Sequence, residues 1–334
     1  MRTTKLGYFP RTKLHLRLGP FGKSLSQFSR AINNENDLYS VEFRTTQTQT
    51  HRKHMDYGLW SIEYAVLSSA QGSEFPIDSV TFGFHGFARP LEDLLPVAKR
   101  WAPTDCFIGV HLLHHGQSQP RSDSIPWDHP ISPSEMNKVL EAIAQREAPQ
   151  AKQRKLFGYS IGGRVALALI HDTPQKWSHT LLMAPDGLKK SPFYRLTVHT
   201  RLGRWAWFFI DRNAALIRRL NTRLHAVGLL SKHLYAFSEF HIESHEMRMM
   251  VWHGWRAHRL CWPTHRALSR AFLESNRIDL AFGDRDKIIP ASNANRLKRL
   301  TRKQPHIHFH SIPSGHGMLR EEVLDPTFQR IFRS

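Results

Sequence analysis

From Ser79 onward the chain alternates short apolar runs with amphipathic segments, and this alternation restricts its possible folds more than any other feature. "SVTFGF" at 79–84 is a β-rich run that stops at His85-Gly86. "PLEDLLPVAKRW" at 90–101 follows with helical spacing and Pro90 near its first turn. "CFIGVHLL" at 106–113 reads as a second buried strand. "SPSEMNKVLEAIAQ" then opens on a capping box of Ser132, Pro133 and Glu135, and places Met136, Val139, Leu140 and Ile143 on one helix face. "KLFGY" is a short strand running into Ser160, and "VALALI" is the helix after it. "TLLMAP" at 180–185, "IDLAFG" at 278–283 and "HIHFHSI" at 306–312 complete the strands. Apolar strands separated by helices predict an α/β fold, with a mostly parallel central sheet covered by helices on both faces.

The 334 residues suffice for one large domain, or a domain with an inserted cap. Residues 1–54 are basic and polar with little apolar period, and read as a poorly ordered extension. Met55 opens the strand-like "MDYGLWSIEYAVLSS" and is a candidate start of translation. The expected core is 55–187 with 277–334. Between them, residues 188–276 lose the strand signal and carry 15 Lys/Arg against 5 Asp/Glu, which predicts a basic helical cap. The formal charge of +19 suits nucleic acid, acidic lipid or an acidic substrate, and equally a merely solubilising surface. No run approaches the roughly 20 apolar residues that span a bilayer. Cys106 and Cys261 have no metal or redox spacing and read as buried thiols in a reducing compartment; a cytoplasmic location is expected.

In "LFGYSIGGRVAL", at 156–167, Ser160 stands between glycines at a strand-to-helix junction. G-x-S-x-G is the pattern that projects a nucleophilic serine on a tight turn, although a glycine-rich loop gives the same letters. A serine hydroxyl needs a base and donors for the oxyanion it creates. "FHGF" at 84–87 offers the backbone N–H of Phe87, which with that of Ile161 would make an oxyanion hole; the alternative is an ordinary strand-end turn. "GDRDKIIP" at 283–290 and "PSGHGM" at 313–318 follow two late strands and offer Asp286 to orient His316, and His316 as base for Ser160.

With these parts in the order serine, aspartate, histidine, residues from about 60 to 334 resemble the α/β-hydrolase superfamily, in a capped form with a serine nucleophile. The nucleophile elbow matches GYSIGG, the oxyanion turn His85-Gly86-Phe87, the acid loop Gly283 to Asp286, and the histidine loop Gly315-His316. Family spacing favours Asp286 over its rival Asp284. "LLHHGQS" at 112–118 resembles the family's D-x-x-G-H-G-x-S stretch, keeping His115, Gly116 and Ser118, with His111 in place of aspartate and His114 in place of glycine. The resemblance implies a triad of Ser160, His316 and Asp286 acting on a small-molecule carboxylic ester through an acyl-enzyme, with His85, Tyr159 and Arg164 as candidate substrate contacts. Arg164, four residues after the serine, also resembles the elbow of the menaquinone-pathway synthase, a carbon–carbon lyase in which such an arginine would bind a carboxylate.

The cap contains "RLGRWAWFFIDRNAALIRRL" at 201–220, where Trp205, Phe208, Phe209, Leu216 and Leu220 share part of an apolar face flanked by arginines. It reads either as a lid helix over the cleft or as an interfacial helix peripheral to an anionic membrane. His306, His308 and His310 alternate and invite a metal reading, but with no carboxylate or cysteine at ligand spacing they read as a sheet face; no metal and no cofactor are expected. A nucleic-acid-binding module is the rival that the charge suggests, but the basic residues are spread through a cap rich in large apolar residues and carry no nucleic-acid-binding motif, so a nucleic-acid partner is not expected. A catalytically silent binding module remains the other alternative, and the oligomeric state is left open.

Overall fold

The computed structural model describes residues 51–68, 77–101 and 104–332. Among them, β1 (Arg52–Tyr57), β2 (Trp60–Ser68), β3 (Ser79–Phe84), β4 (Asp105–Val110), β5 (Gln119–Pro120), β6 (Gln153–Tyr159), β7 (Trp177–Met183), β8 (Arg277–Gly283) and β9 (Ile307–Ile312) form a single sheet. The order across it is β1-β2-β4-β3-β6-β7-β8-β9, with the two-residue β5 on β2. From β4 to β9 every pairing is parallel, whereas β1–β2 and β2–β4 are antiparallel.

The parallel strands are apolar at consecutive positions because both faces are covered. In β6, Leu156 enters one core while Phe157 and Tyr159 enter the other. Helices α1 (Leu95–Ala98), α2 (Pro133–Glu147) and α3 (Ile161–Asp172) alternate with these strands. The capping box of α2 forms as the sequence predicts: Ser132 Oγ accepts from the Glu135 N–H at 3.1 Å, and Glu135 Oε2 accepts from the Ser132 N–H at 2.8 Å. Met136, Val139, Leu140 and Ile143 are all fully buried.

After β7 come α4 (Pro192–His199), α5 (Arg201–Arg212), α6 (Ala214–Ala226), α7 (Lys232–Ile242), α8 (His245–Ala257) and α9 (His265–Leu273). The last of these is not cap, although the sequence boundary at 276 places it there. Leu268 and Phe272 of α9 join the core that holds Val165 and Leu169 of α3, so this helix lies on the sheet. The expected single helix over 201–220 is also two, broken at Asn213, whose φ of −114° and ψ of 28° leave the helical region. The chain ends in α10 (Asn295–Leu300) and α11 (Glu321–Phe332).

β1 begins at Arg52, three residues before Met55, and pairs with β2 along its whole length. A chain started at Met55 would lose half of this edge strand. The rest of the expected extension, residues 1–50, lies outside the described residues. No helix among the described residues is long and apolar enough to cross a membrane. Cys106 and Cys261 are free, buried thiols, and burial pushes both up to about 12.

Candidate active site

Ser160 caps α3 with a φ of 55° and ψ of −117°, a left-handed conformation that side chains rarely adopt. Close approach on both sides holds it there: a Cβ on Gly162 would stand 2.3 Å from the Phe84 carbonyl oxygen, and one on Gly158 2.8 Å from that of Gly162. The glycines flanking the serine are therefore steric requirements of this turn. The turn projects Ser160 at the carboxyl end of the parallel strands, where β8 and β9 also deliver their loops.

His316, after β9, lies with Nε2 3.1 Å from Ser160 Oγ. Its Nδ1 is 2.7 Å from Oδ2 of Asp286, after β8. The other carboxylate oxygen of Asp286 accepts the N–H groups of Ile288 and Ile289 at 2.8 and 2.9 Å, which fixes the carboxylate's direction. Asp284, the rival acid, is exposed and pairs with its neighbour Arg285. Because Asp286 accepts from Nδ1–H, neutral His316 presents an unprotonated Nε2 to the serine hydroxyl, the arrangement a general base requires.

The candidate substrate contacts fall elsewhere. Tyr159 is 4% exposed; its hydroxyl donates to the His316 carbonyl at 2.6 Å and its ring packs on that imidazole. It holds the histidine loop. Arg164 is buried under the cap: its guanidinium pairs with Asp186, reaches the Tyr194 hydroxyl at 3.3 Å, and lies 4.1 Å over the Trp262 ring. Burial would lower its pKa, but Asp186 and Tyr194 raise it, so the charge persists and is already matched. The carboxylate-binding role, and with it the lyase reading, loses its residue.

His85 is completely buried and has no nitrogen left for a substrate. It belongs to a relay the sequence reading missed. Arg52 Nη1 lies 2.8 Å from His111 Nε2, and since arginine can only donate, that nitrogen accepts. His111 Nδ1–H then donates to His85 Nε2 at 2.9 Å, which leaves His85 Nδ1–H to donate to the Gly86 carbonyl at 2.6 Å. The Leu112 N–H also donates to His85 Nε2, at 3.3 Å, which agrees with this tautomer. Burial first, then the neighbouring cations and rings, hold His111 down to about 3 and His85 well below its ordinary value, so both are neutral. The Gly86 carbonyl and the Phe87 N–H belong to one planar peptide and point in opposite directions, so the relay fixes where the Phe87 N–H is aimed. Ile161, the other expected donor, opens α3, where helix N–H groups have no intrahelical acceptor.

The loop at 111–118 closes this arrangement from below. Ser118 Oγ accepts from the Glu63 N–H at 3.0 Å and donates to the His111 carbonyl at 3.1 Å, while the His115 ring packs edge-on against Phe87. His114 has a φ of 65°, so the backbone at that position takes the conformation for which the resembled pattern supplies glycine. The one available signal for the relay was the departure at His111; nothing near Arg52 marked it.

On the strand, His308 and His310 do share a face, but His306 precedes β9 and bonds the Phe272 carbonyl at 2.8 Å. His310 and His179 flank the buried Asp279 carboxylate at 2.7 and 2.8 Å, and Arg277 pairs with it at 2.8 Å.

No family model matches the chain, and neither does any curated protein. Solved structures do. A thermophilic esterase from Thermogutta terrifontis is 19% identical with a TM-score of 0.54, over 85% of this chain and 97% of that one. A putative lipase from Acinetobacter baumannii is 16% identical with a TM-score of 0.54, over 85% and 90%. Carboxylesterase CesB from Bacillus subtilis is 12% identical with a TM-score of 0.53, over 86% and 91%. Strand order, crossovers and these likenesses agree: the chain has the α/β-hydrolase fold.

Proposed function

We infer that this chain is a serine hydrolase that cleaves a carboxylic ester carrying a hydrophobic acyl group. The observation that carries the reading is the line from Ser160 Oγ through His316 to Asp286, at 3.1 and 2.7 Å. In the first half-reaction Ser160 Oγ bonds to the ester carbonyl carbon as its proton passes to His316 Nε2, and the Phe87 and Ile161 N–H groups receive the oxyanion. Collapse breaks the bond to the alcohol oxygen, which takes the proton from His316 and leaves. Water then attacks the acyl-enzyme, gives a proton to His316, and the carboxylic acid departs as Ser160 recovers that proton. Support for a hydrophobic acyl group comes from the cap. Trp207, Val251 and Trp252 form a cluster against which Phe87 and Trp255 pack, so the oxyanion turn is bordered by aromatic side chains. The names of the esterase, lipase and carboxylesterase of like fold point the same way.

The test is a fluorophosphonate, which reacts with activated serines. One adduct on Ser160 is expected, absent in Ser160→Ala, with turnover of p-nitrophenyl esters falling by about a thousandfold or more in that variant. Specificity should rise from acetyl through butyryl to octanoyl esters. A folded protein that forms no adduct would sink the reading and leave a silent binding module.

A further inference from the structure

The two helices of the cap that follow one another across Asn213 are amphipathic, yet they bury almost nothing. α5 buries Gly203 and Trp207 alone, and α6 buries no residue along its 13 positions. Trp207 faces inward onto Trp252 of α8. On the opposite side of α5, Leu202, Trp205 and Phe209 are 63%, 65% and 45% exposed, and Trp205 stacks on Phe209 in the open, while Phe208, between the two sides, also reaches Trp252. α6 continues with Leu216 and Leu220 exposed, and the turn after it adds Val227 and Leu229. Large apolar side chains gathered on two successive helices are more than the scattered exposure ordinary for a surface.

The charge around them has one sign. Arg201, Arg204, Arg212, Arg219 and Arg223 are all exposed on these helices. The single acid between 201 and 232 is Asp211, which Arg248 and His245 already hold at 2.6 and 2.9 Å. By helical spacing, Arg201 and Arg212 border the apolar face of α5, and Arg219 and Arg223 border Leu216 and Leu220 on α6. Tryptophan and phenylalanine with leucine on one face, and arginines around it, suit the boundary between lipid headgroups and acyl chains.

We propose that the outer faces of α5 and α6 dock this protein onto an anionic phospholipid bilayer, with Leu202, Trp205, Phe209, Leu216 and Leu220 entering the acyl boundary and the arginines meeting phosphates. A second copy of the chain fits this face poorly, because it would bring the same cations together. Nucleic acid would use the arginines and stack on an aromatic ring but would leave the leucines and valine uncovered, whereas a bilayer covers both. The surface is linked to the site: α5 rests through Trp207 on α8, and α8 on Phe87 of the oxyanion turn. Docking therefore engages the helices that border Phe87.

The experiment is co-sedimentation of the full chain with vesicles of phosphatidylcholine alone, or with about one third phosphatidylglycerol. Partitioning to the anionic vesicles should be at least about tenfold greater, should fall with added salt, and should drop about tenfold in both the Trp205→Ser/Phe209→Ser and Arg219→Glu/Arg223→Glu variants. Both variants should keep wild-type circular dichroism and wild-type turnover of a short soluble ester. Ser160→Ala should bind vesicles as the parent does, so failure of docking and failure of ester hydrolysis are told apart. Equal partitioning to neutral and anionic vesicles overturns the proposal. So does anionic binding that survives both double variants, which would place it elsewhere, as in the basic residues 1–50. Self-association or RNA binding that the same variants abolish, without vesicle binding, overturns it in favour of those occupants.

Discussion

Arg164 stands four residues after Ser160, where a cation within reach of a bound carboxylate would be useful, yet the fold uses it to clamp the cap. Removing one partner of a buried ion pair leaves the other charge unmatched, so Arg164→Met should cost about 3 kcal/mol, read as a lower midpoint in urea unfolding. The KM of the remaining folded enzyme for neutral esters should not move. A rise in KM for acidic esters at unchanged stability would return Arg164 to the substrate. His111 makes a contrasting prediction, because it acts through His85 on the direction of one N–H. His111→Leu removes the Nδ1–H donor and should lower kcat about tenfold or more with little change in KM, as expected for a contact made chiefly in the transition state. His111→Asn keeps a donor near the Nδ1 position and should recover most of that loss. A purely structural role would instead lower the amount of folded enzyme in both variants and leave kcat of the folded fraction intact.

Among the elements, α2 and α3 were the most legible. Their signals are local: a capping box and four apolar residues on one face for α2, and a glycine-flanked serine between strand and helix for α3. Ser132→Ala should cost about 1 kcal/mol of stability without touching turnover, since it loses one cap far from Ser160. Gly162→Ala should be far worse. Its new Cβ would meet the Phe84 carbonyl oxygen, so the turn at Ser160 and the end of β3 would have to part; loss of fluorophosphonate labelling alongside lost stability is expected. The helix spanning 201–220 was misjudged for a reason of the same kind. Apolar residues at helical spacing persist through Asn213, so the pattern reads as one helix, whereas the backbone leaves the helical region at that residue. The cap boundary failed likewise, because α9 is as basic and helical as the cap and only its packing on α3 separates them.

Over the whole molecule, the large number of histidines becomes a statement about acid stability. His85, His111, His115 and His258 are almost wholly buried, and burial is the first cause of a lowered pKa in each: about 3 for His111 and His258, about 4 for His115, and well below the ordinary value for His85. Folded, these rings stay neutral down to about pH 4; unfolded, they bind protons below about pH 6.5. The unfolded chain therefore takes up protons first, and stability falls as pH drops from 6.5. Each ring removes about 1.4 kcal/mol per pH unit in that window, and four together approach the whole stability of an ordinary domain within about one to two units. Asp279 adds a later loss. Burial alone would raise its carboxyl, but hydrogen bonds from His179, His310 and Arg277 hold it well below the usual range, so its contribution goes only at strongly acid pH. Near-UV circular dichroism should show unfolding near pH 5. A native signal persisting below pH 4 would contradict neutral burial of the four rings.

The order of strands and helices, the turn at Ser160, and the positions of Asp286 and His316 after late strands were decided by sequence alone. Each depends on neighbours within a few residues: alternation, glycine spacing, a cap, a strand end. What the sequence did not decide was which polar side chains still have a free hydrogen-bonding atom once the chain has folded. His85 beside the proposed oxyanion turn and Arg164 near Ser160 carry the chemistry of substrate contacts, and tertiary structure consumes both. Arg52, 59 residues from His111, completes the relay that holds Gly86. Burial and hydrogen-bond partnership are properties of distant segments brought together, so only the packed molecule assigns them.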